Sequence, residues 1–124
     1  MNILIADDSL LSRSYVKKVL TMVGLSEAKI FEVGNGKDAL PVLESHSINC
    51  LFLDINMPIM TGTELIDAMA EKGLGTKTHV IITSSVVDEA RITQLKAKGV
   101  RFFLKKPFTP EGLKNITDLL TGAL

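Results

Sequence analysis

CLFLDINMP, residues 50–58, is an apolar run that reaches Asp54 and then turns at Pro58. Continuous apolar sequence bounded by a turn signal predicts a strand buried on both faces, because a half-buried strand would alternate polar and apolar side chains. Asp54 therefore stands at the C-terminal end of a buried strand. In an open parallel α/β sheet, the loops beyond the carboxyl ends of the strands carry the ligand. Asp54 is thus a candidate site residue as well as a candidate turn former.

Four other segments have the composition of strands, and five have the spacing of helices. Strands are predicted over residues 3–6, 29–33, 80–83 and 100–104. Helices are predicted over residues 11–23, 37–46, 63–72 and 88–98, and from Pro110 to near Leu124. On the first helix, apolar positions 11, 15, 19 and 23 recur at near-helical spacing and predict its buried face, with Asp8 or Ser9 as the N-cap. Pro41 falls past the first turn of the second helix, where a proline kinks or breaks a helix.

The composition of each strand decides its place in the sheet. The strands beginning at residues 3, 50 and 80 are wholly apolar and must be interior, whereas those at 29–33 and 100–104 contain charged residues and belong at the edges. Five strands alternating with five helices predict an α/β fold, a doubly wound parallel sheet of the flavodoxin-like type with order 2-1-3-4-5. Its switch point lies between strands 1 and 3, so Asp7 and Asp8 should meet Asp54 there.

Composition limits the classes of partner. The length predicts one domain over residues 1–124, in which 14 basic residues balance 14 acidic ones. This balance lacks the basic footprint of a general nucleic-acid binder. The sequence shows no basic leader and no apolar run of roughly 18 residues, so we expect a cytoplasmic protein that contacts no membrane. Cys50 lies in a predicted buried strand and is expected to pack as a small hydrophobe.

Three carboxylates at one crevice repel one another unless they share protons or bind a cation. The sequence therefore predicts a metal site that contains Asp7, Asp8 and Asp54. Oxygen ligands with positions left for water favour Mg²⁺, which also bridges to phosphate oxygens. His46 and His79 are predicted near a helix end and a strand start, and we interpret them as surface residues.

Two more polar residues follow strands of the same sheet, Thr83 after strand 4 and Lys106 after strand 5. Each residue of the set has an ordinary explanation by itself: Asp7 and Asp8 as helix caps, Thr83 as a turn former, Lys106 as a solvated lysine. Together they supply a carboxylate nucleophile, a cation site, a hydroxyl and an ammonium. These are the groups that a transferring phosphoryl group needs, because its charge spreads over its equatorial oxygens.

This set of residues resembles the receiver domains of two-component response regulators, the CheY-like superfamily. The resemblance spans the whole chain through Asp7-Asp8, Asp54, Asn56-Met57-Pro58, Gly62, Thr83 and Lys106-Pro107-Phe108. Any one of these pieces is a weak signal, but the set at this spacing is specific.

The resemblance implies roles for the acidic residues. Asp54 would accept a phosphoryl group from a phosphohistidine on a sensor histidine kinase or a histidine phosphotransfer protein. Asp8 and Asp54 would bind Mg²⁺ directly, together with the backbone carbonyl of Asn56. Asp7 would act mainly through a bound water.

The resemblance also implies a switch. Lys106 would pair with the phosphoryl oxygens, the Thr83 hydroxyl would turn toward them, and Phe103 would be the aromatic switch residue where many members have tyrosine. The face formed by helix 4, strand 5 and helix 5 would then change. The family's lysine immediately precedes a proline, so we assign Lys106 and not Lys105, and we expect a cis peptide between Lys106 and Pro107.

The expected output is docking onto another protein, because no output domain follows the predicted receiver domain. A flagellar motor switch protein in chemotaxis is one candidate target, and passage of phosphate in a phosphorelay is the other. We expect a monomer that catalyses only its own Mg²⁺-dependent phosphorylation and dephosphorylation.

Other functions share parts of this residue set. A phosphatase of the haloacid dehalogenase type also uses a nucleophilic aspartate and Mg²⁺, but its acidic pair comes last, and it has an acid where this chain has Asn56. A flavodoxin-like cofactor binder shares the topology, but Asp7 and Asp8 would repel a flavin phosphate. A degenerate receiver used only for docking would lack a member of the set, and this chain retains all of them.

Overall fold

The computed structural model describes residues 1–85 and 88–121 of the chain. Within these residues, strands and helices alternate as predicted. The elements are β1 (Asn2–Ala6), α1 (Leu10–Met22), β2 (Lys29–Val33), α2 (Gly36–Ser45), β3 (Cys50–Leu53), α3 (Gly62–Lys72), β4 (His79–Ser84), α4 (Glu89–Ala97), β5 (Phe102–Lys105) and α5 (Pro110–Thr121). The predicted end of the last helix near Leu124 lies outside the described residues. Across the same residues, no helix is long and apolar enough to cross a bilayer.

The five strands pair in parallel in the order β2-β1-β3-β4-β5, which confirms the predicted doubly wound α/β fold. The register of β1 and β3 pairs Ala6 with Leu53. The residues that follow this pair, Asp7 and Asp54, therefore leave the sheet side by side at its carboxyl edge.

β3 is buried on both faces because its alternate residues enter two separate cores. Leu51 and Leu53 pack with residues of α2, α3 and α4, whereas Cys50 and Phe52 pack with residues of α1 and α5. All four side chains are at most 2% exposed. Burial raises the pKa of the Cys50 thiol to about 11, so this residue is protonated at neutral pH and packs as an apolar side chain, as predicted.

The buried face of α1 differs from the prediction. The helix buries Val16, Val19 and Leu20, whereas Leu11 is 83% exposed and Tyr15 is 40% exposed. Residues four apart drift by about 40° around a helix of about 3.6 residues per turn. Residues spaced four apart, such as 11, 15, 19 and 23, therefore rotate progressively away from the face of α1 that contacts the sheet.

Two other boundaries have clear local causes. Pro41 is exposed and does not end α2, which begins where the Asn35 side chain accepts a hydrogen bond from the Asp38 backbone. β5 begins two residues later than predicted because Val100 takes part in the turn that closes α4. Gly99 has a φ of +96°, and the Val100 N–H donates to a carbonyl of that helix at 3.1 Å.

The loop between β3 and α3 returns tightly to the backbone of Asp54. The Gly62 N–H donates to the Ile55 carbonyl at 2.9 Å, and a Cβ on Gly62 would lie only 2.5 Å from the Asp54 carbonyl oxygen. Thr61 then begins α3 with a capping box shared with Glu64. This close return holds the backbone that carries Asp54.

We expect Gly62→Ala to lower the free energy of unfolding by about 1–3 kcal/mol, because the added methyl group must displace the backbone of Asp54. Gly112→Ala is the matched control, since a Cβ in this turn of α5 meets its nearest atom at 3.4 Å. That substitution should be neutral or stabilise the helix by up to about 1 kcal/mol. Urea denaturation measures both variants. If Gly62→Ala has the stability of the wild type, the expectation is wrong, because the loop can then move to accommodate the added methyl group at no cost.

Candidate functional site

Three carboxylates meet at the switch point of the sheet, where the sequence placed them. Asp7 and Asp8 follow β1, Asp54 follows β3, and one carboxylate oxygen from each lies within 4.8 Å of the others. Asp7 is 1% exposed and Asp54 is 7% exposed, whereas Asp8 is open to solvent. The arrangement concentrates negative charge where little water is available to screen it.

Hydrogen bonds from neighbouring elements hold Asp7 and Asp54 in place. The Asp54 N–H donates to the Ala6 carbonyl of β1 at 2.9 Å. The Asp7 carbonyl accepts a hydrogen bond from Arg13 Nη1 at 2.7 Å, and its carboxylate Oδ1 accepts one from the Ser9 N–H at 2.9 Å. Asp7 is therefore fixed through both its backbone and its side chain.

Lys106 extends its ammonium over the carboxylates. Its Nζ lies 2.5 Å from Asp7 Oδ2 and 3.6 Å from Asp54 Oδ2. The peptide bond between Lys106 and Pro107 is cis, as predicted. Lys105, the last residue of β5, is exposed. Of the two lysines, Lys106 therefore lies in the site and Lys105 does not, as predicted.

The charge state of Asp54 reflects opposing influences. Burial raises the pKa of its carboxyl above the usual value, the Lys106 ammonium lowers it, and the charge of Asp7 raises it again. The Asn56 N–H, 3.4 Å from Asp54 Oδ1, lowers it slightly. Three carboxylates face one ammonium, so the site has an excess of negative charge that a further cation would neutralise.

The donor set of the site fits a hard metal ion. Its side-chain donors are carboxylate oxygens, and the exposure of Asp8 leaves room for water ligands. The two histidines, His46 and His79, are exposed, and neither belongs to the group of potential metal ligands found among the described residues. Their interpretation as surface residues is confirmed.

The two proposed switch residues lie on neighbouring strands. Ile82 of β4 pairs with Leu53 of β3 on one side and with Phe103 of β5 on the other. Thr83 follows Ile82 as Asp54 follows Leu53, so the register places it beside Asp54 at the carboxyl edge. Its side chain is 2% exposed. Phe103 is partly buried and packs against the core on the side of α2, α3 and α4.

Besides Arg13, two residues of α1 contact the site region, and none of the three was predicted as a site residue from the sequence. Ser12 Oγ lies 3.5 Å from Lys106 Nζ, and the Tyr15 hydroxyl donates to the Phe108 carbonyl at 2.5 Å. Residues three apart share one face of a helix, and that spacing was visible in the sequence. Tyr15 was predicted to pack as part of the apolar face of α1, so the hydrogen bond of its hydroxyl was not anticipated.

Comparisons with known proteins agree with this geometry. The sequence profile of the response regulator receiver domain matches residues 3–118 of the chain. A chemotaxis protein CheY homologue of Campylobacter jejuni is 35% identical over 124 residues, which cover 98% of this chain and 93% of the relative. Chemotaxis protein CheY1 of Helicobacter pylori is 31% identical, with 98% of each chain covered. The structure of Vibrio cholerae chemotaxis protein CheY4 aligns with a TM-score of 0.84 at 26% identity, over 96% of this chain and 97% of that one.

We expect Lys106→Met to lower the free energy of unfolding by about 2–3 kcal/mol without divalent cations, because it leaves the Asp7 and Asp54 carboxylates buried without their counter-charge. Lys105→Met is the matched control, since it removes the same charge from an exposed neighbour and should change stability by less than about 0.5 kcal/mol. Urea denaturation in the presence of a chelator measures both variants. Equal losses would contradict the role of Lys106 as the counter-charge of the cluster.

Proposed function

Because the chain belongs to the receiver domain family of response regulators, we propose that it is a phosphorylation-activated switch of a two-component system. Asp54 is the proposed phosphoacceptor. The observation that carries this proposal is the convergence of Asp54 with two further carboxylates and the Lys106 ammonium. The proposed donor is a phosphohistidine on a sensor histidine kinase or a histidine phosphotransfer protein.

The proposed reaction moves one phosphoryl group from a histidine nitrogen to Asp54. A carboxylate oxygen of Asp54 attacks phosphorus and forms the new O–P bond. The N–P bond breaks with its electron pair left on the imidazole, whose other nitrogen keeps its proton. Lys106 would pair with the equatorial oxygens, over which the charge of the group spreads. The protein would thus catalyse only its own phosphorylation and dephosphorylation, and not the turnover of an external substrate.

We propose Mg²⁺ as the cation of the site, held by Asp8 and Asp54 with the backbone carbonyl of Asn56. Asp7 would act through a bound water. Support for this division is that both carboxylate oxygens of Asp7 already accept hydrogen bonds, one from the backbone at the start of α1 and one from Lys106. When bound, Mg²⁺ supplies neutralisation of the phosphoryl oxygens.

The proposed switch starts from electrostatics. A phosphoryl group would add about 1.5–2 negative charges beside crowded carboxylates, and the Thr83 hydroxyl would be drawn to its oxygens. Phe103 would then pack into the vacated space, which is supported by its half-buried ring on the neighbouring strand. The face of α4, β5 and α5 would change with it.

The proposed output is altered affinity for a downstream protein, with the chain acting as a monomer. Several matching relatives carry the name of chemotaxis proteins, which favours a chemotaxis role with a flagellar motor switch protein as the target. A phosphorelay is the alternative use of the same chemistry. Binding of candidate targets in the presence and absence of beryllofluoride, a mimic of the phosphoryl group, separates the two.

We expect Asp54→Asn to abolish labelling by acetyl phosphate in the presence of Mg²⁺, because an amide oxygen is too weak a nucleophile to replace the carboxylate. Asp67→Asn is the matched control, since Asp67 is an exposed acid that pairs with Lys98 outside the site. Intact-protein mass spectrometry should find one added phosphoryl group in the wild-type and Asp67→Asn proteins. Persistent labelling of Asp54→Asn would remove Asp54 from the role.

We expect Thr83→Ala to accept phosphate but to lose the coupled change in target affinity, which is at least about fivefold in typical allosteric proteins. The reason is that no hydroxyl remains to follow the phosphoryl oxygens. Thr83→Ser keeps the hydroxyl and should retain most of the coupling. Titrations of the target with and without beryllofluoride measure the effect. An undiminished response in Thr83→Ala would discard this route.

A further inference from the structure

The turn that carries Lys106 is held from outside by α1. The Tyr15 hydroxyl donates to the Phe108 carbonyl at 2.5 Å, and the two rings meet edge to face with centroids 5.3 Å apart. One helical turn earlier, Ser12 Oγ lies 3.5 Å from Lys106 Nζ. One side of α1 therefore touches both ends of the segment formed by residues 106–108.

We propose that Tyr15 is a positioning residue for Lys106, an inference that rests on the proposed phosphorylation of Asp54. The hydroxyl of Tyr15 fixes the backbone two residues beyond Lys106. That restraint keeps the ammonium within reach of the carboxylates and of a phosphoryl group in transfer. Tyr15 acts through Lys106 and does not itself touch the reacting atoms.

Packing alone does not account for the tyrosine. The core-facing side of α1 consists of Val16, Val19 and Leu20, whereas Tyr15 is 40% exposed. Its ring contact with Phe108 would be available to a phenylalanine as well. The feature specific to tyrosine is the hydroxyl, and its partner is a backbone carbonyl of the segment that carries Lys106.

The segment has a second anchor, and the two act on opposite sides of Pro107. The Lys106 N–H donates to the Ser84 carbonyl at 2.8 Å, which ties the segment to β4. Tyr15 ties it to α1 at Phe108. Without the Tyr15 bond, the backbone beyond Pro107 would lose this hydrogen bond and keep only the packing of the buried Phe108 ring. A displacement of about 1 Å at a reacting group can slow a reaction by about 100-fold, so a smaller drift of the ammonium has a measurable effect.

The test compares Tyr15→Phe with Thr21→Val, a matched control on the same helix. Thr21→Val removes the hydrogen bond from Thr21 Oγ1 to the Lys17 carbonyl, which is 3.2 Å long and remote from Lys106. The phosphoryl donor in this test is acetyl phosphate with Mg²⁺. A carboxylate oxygen of Asp54 forms the new bond to phosphorus, and acetate leaves with the electron pair of the broken O–P bond. We expect the rate constant at saturating acetyl phosphate to fall roughly tenfold in Tyr15→Phe and to stay at the wild-type value in Thr21→Val.

Thermal midpoints separate positioning from stability. Both variants lose one hydrogen bond and should unfold within about 5 °C of the wild type. Equal rate constants in Tyr15→Phe and Thr21→Val would overturn the proposal. Labelling of Asp54→Asn would instead remove the proposed function itself, so the two failures are distinguishable.

A double-mutant cycle tests whether Tyr15 acts through the lysine. In a Lys106→Gln protein the ammonium is absent, so the further change Tyr15→Phe should leave the phosphorylation rate constant within about twofold. Rate losses that multiply independently in the double variant would overturn the proposal, because they would show that Tyr15 acts on another group.

Discussion

The contact between the Lys106 ammonium and the buried carboxylate of Asp7 is the interaction on which the carboxyl edge of the sheet depends. Asp7 is 1% exposed, so its charge must be matched by a protein group and not by water. Lys106 matches it at 2.5 Å from 99 residues away in the sequence. The two meet only after β1 and β5 have taken their places in one sheet. The register that builds the fold therefore also sets the distance between the proposed nucleophile, Asp54, and its nearest cation.

The buried strands of the sheet hold the backbone from which this polar edge extends. β3 has apolar residues on both faces, and the two cores that receive Leu51 and Phe52 hold its backbone from opposite sides. The carboxylate of Asp54 emerges where that packing ends. A residue at the end of an interior strand is held more closely than one in a loop, which suits the proposed role of Asp54. The close return of Gly62 extends this rigidity one step beyond the strand.

The sequence predicted the parts of the molecule that follow from simple periodicity. Unbroken apolar runs identify interior strands, and strand order then brings Asp7, Asp8 and Asp54 together. It did not predict the buried face of α1 or the contact of Tyr15, because these depend on how the helix is rotated against its neighbours. The start of β5 was missed because Val100 is apolar in either role, strand residue or helix end. The receiver profile over residues 3–118 also places the chain outside the phosphatase and flavin-binding families weighed from the sequence.

Two acceptors lie near the one ammonium of Lys106, and in the proposed switch this arrangement would let the site respond to phosphate. Lys106 Nζ lies 2.5 Å from Asp7 and 3.6 Å from Asp54, so a shift of about an ångström exchanges its nearer partner. A phosphoryl group on Asp54 would carry more charge than the Asp7 carboxylate and would favour that exchange. The backbone of Lys106 can stay where β4 and α1 hold it while the side chain moves. The larger movements of the proposed switch are those of Thr83, Phe103 and the face of α4, β5 and α5. In the proposed switch, the Lys106 ammonium would stabilise the phosphoryl group by a short shift on a held backbone, and the Thr83 hydroxyl would report the presence of that group.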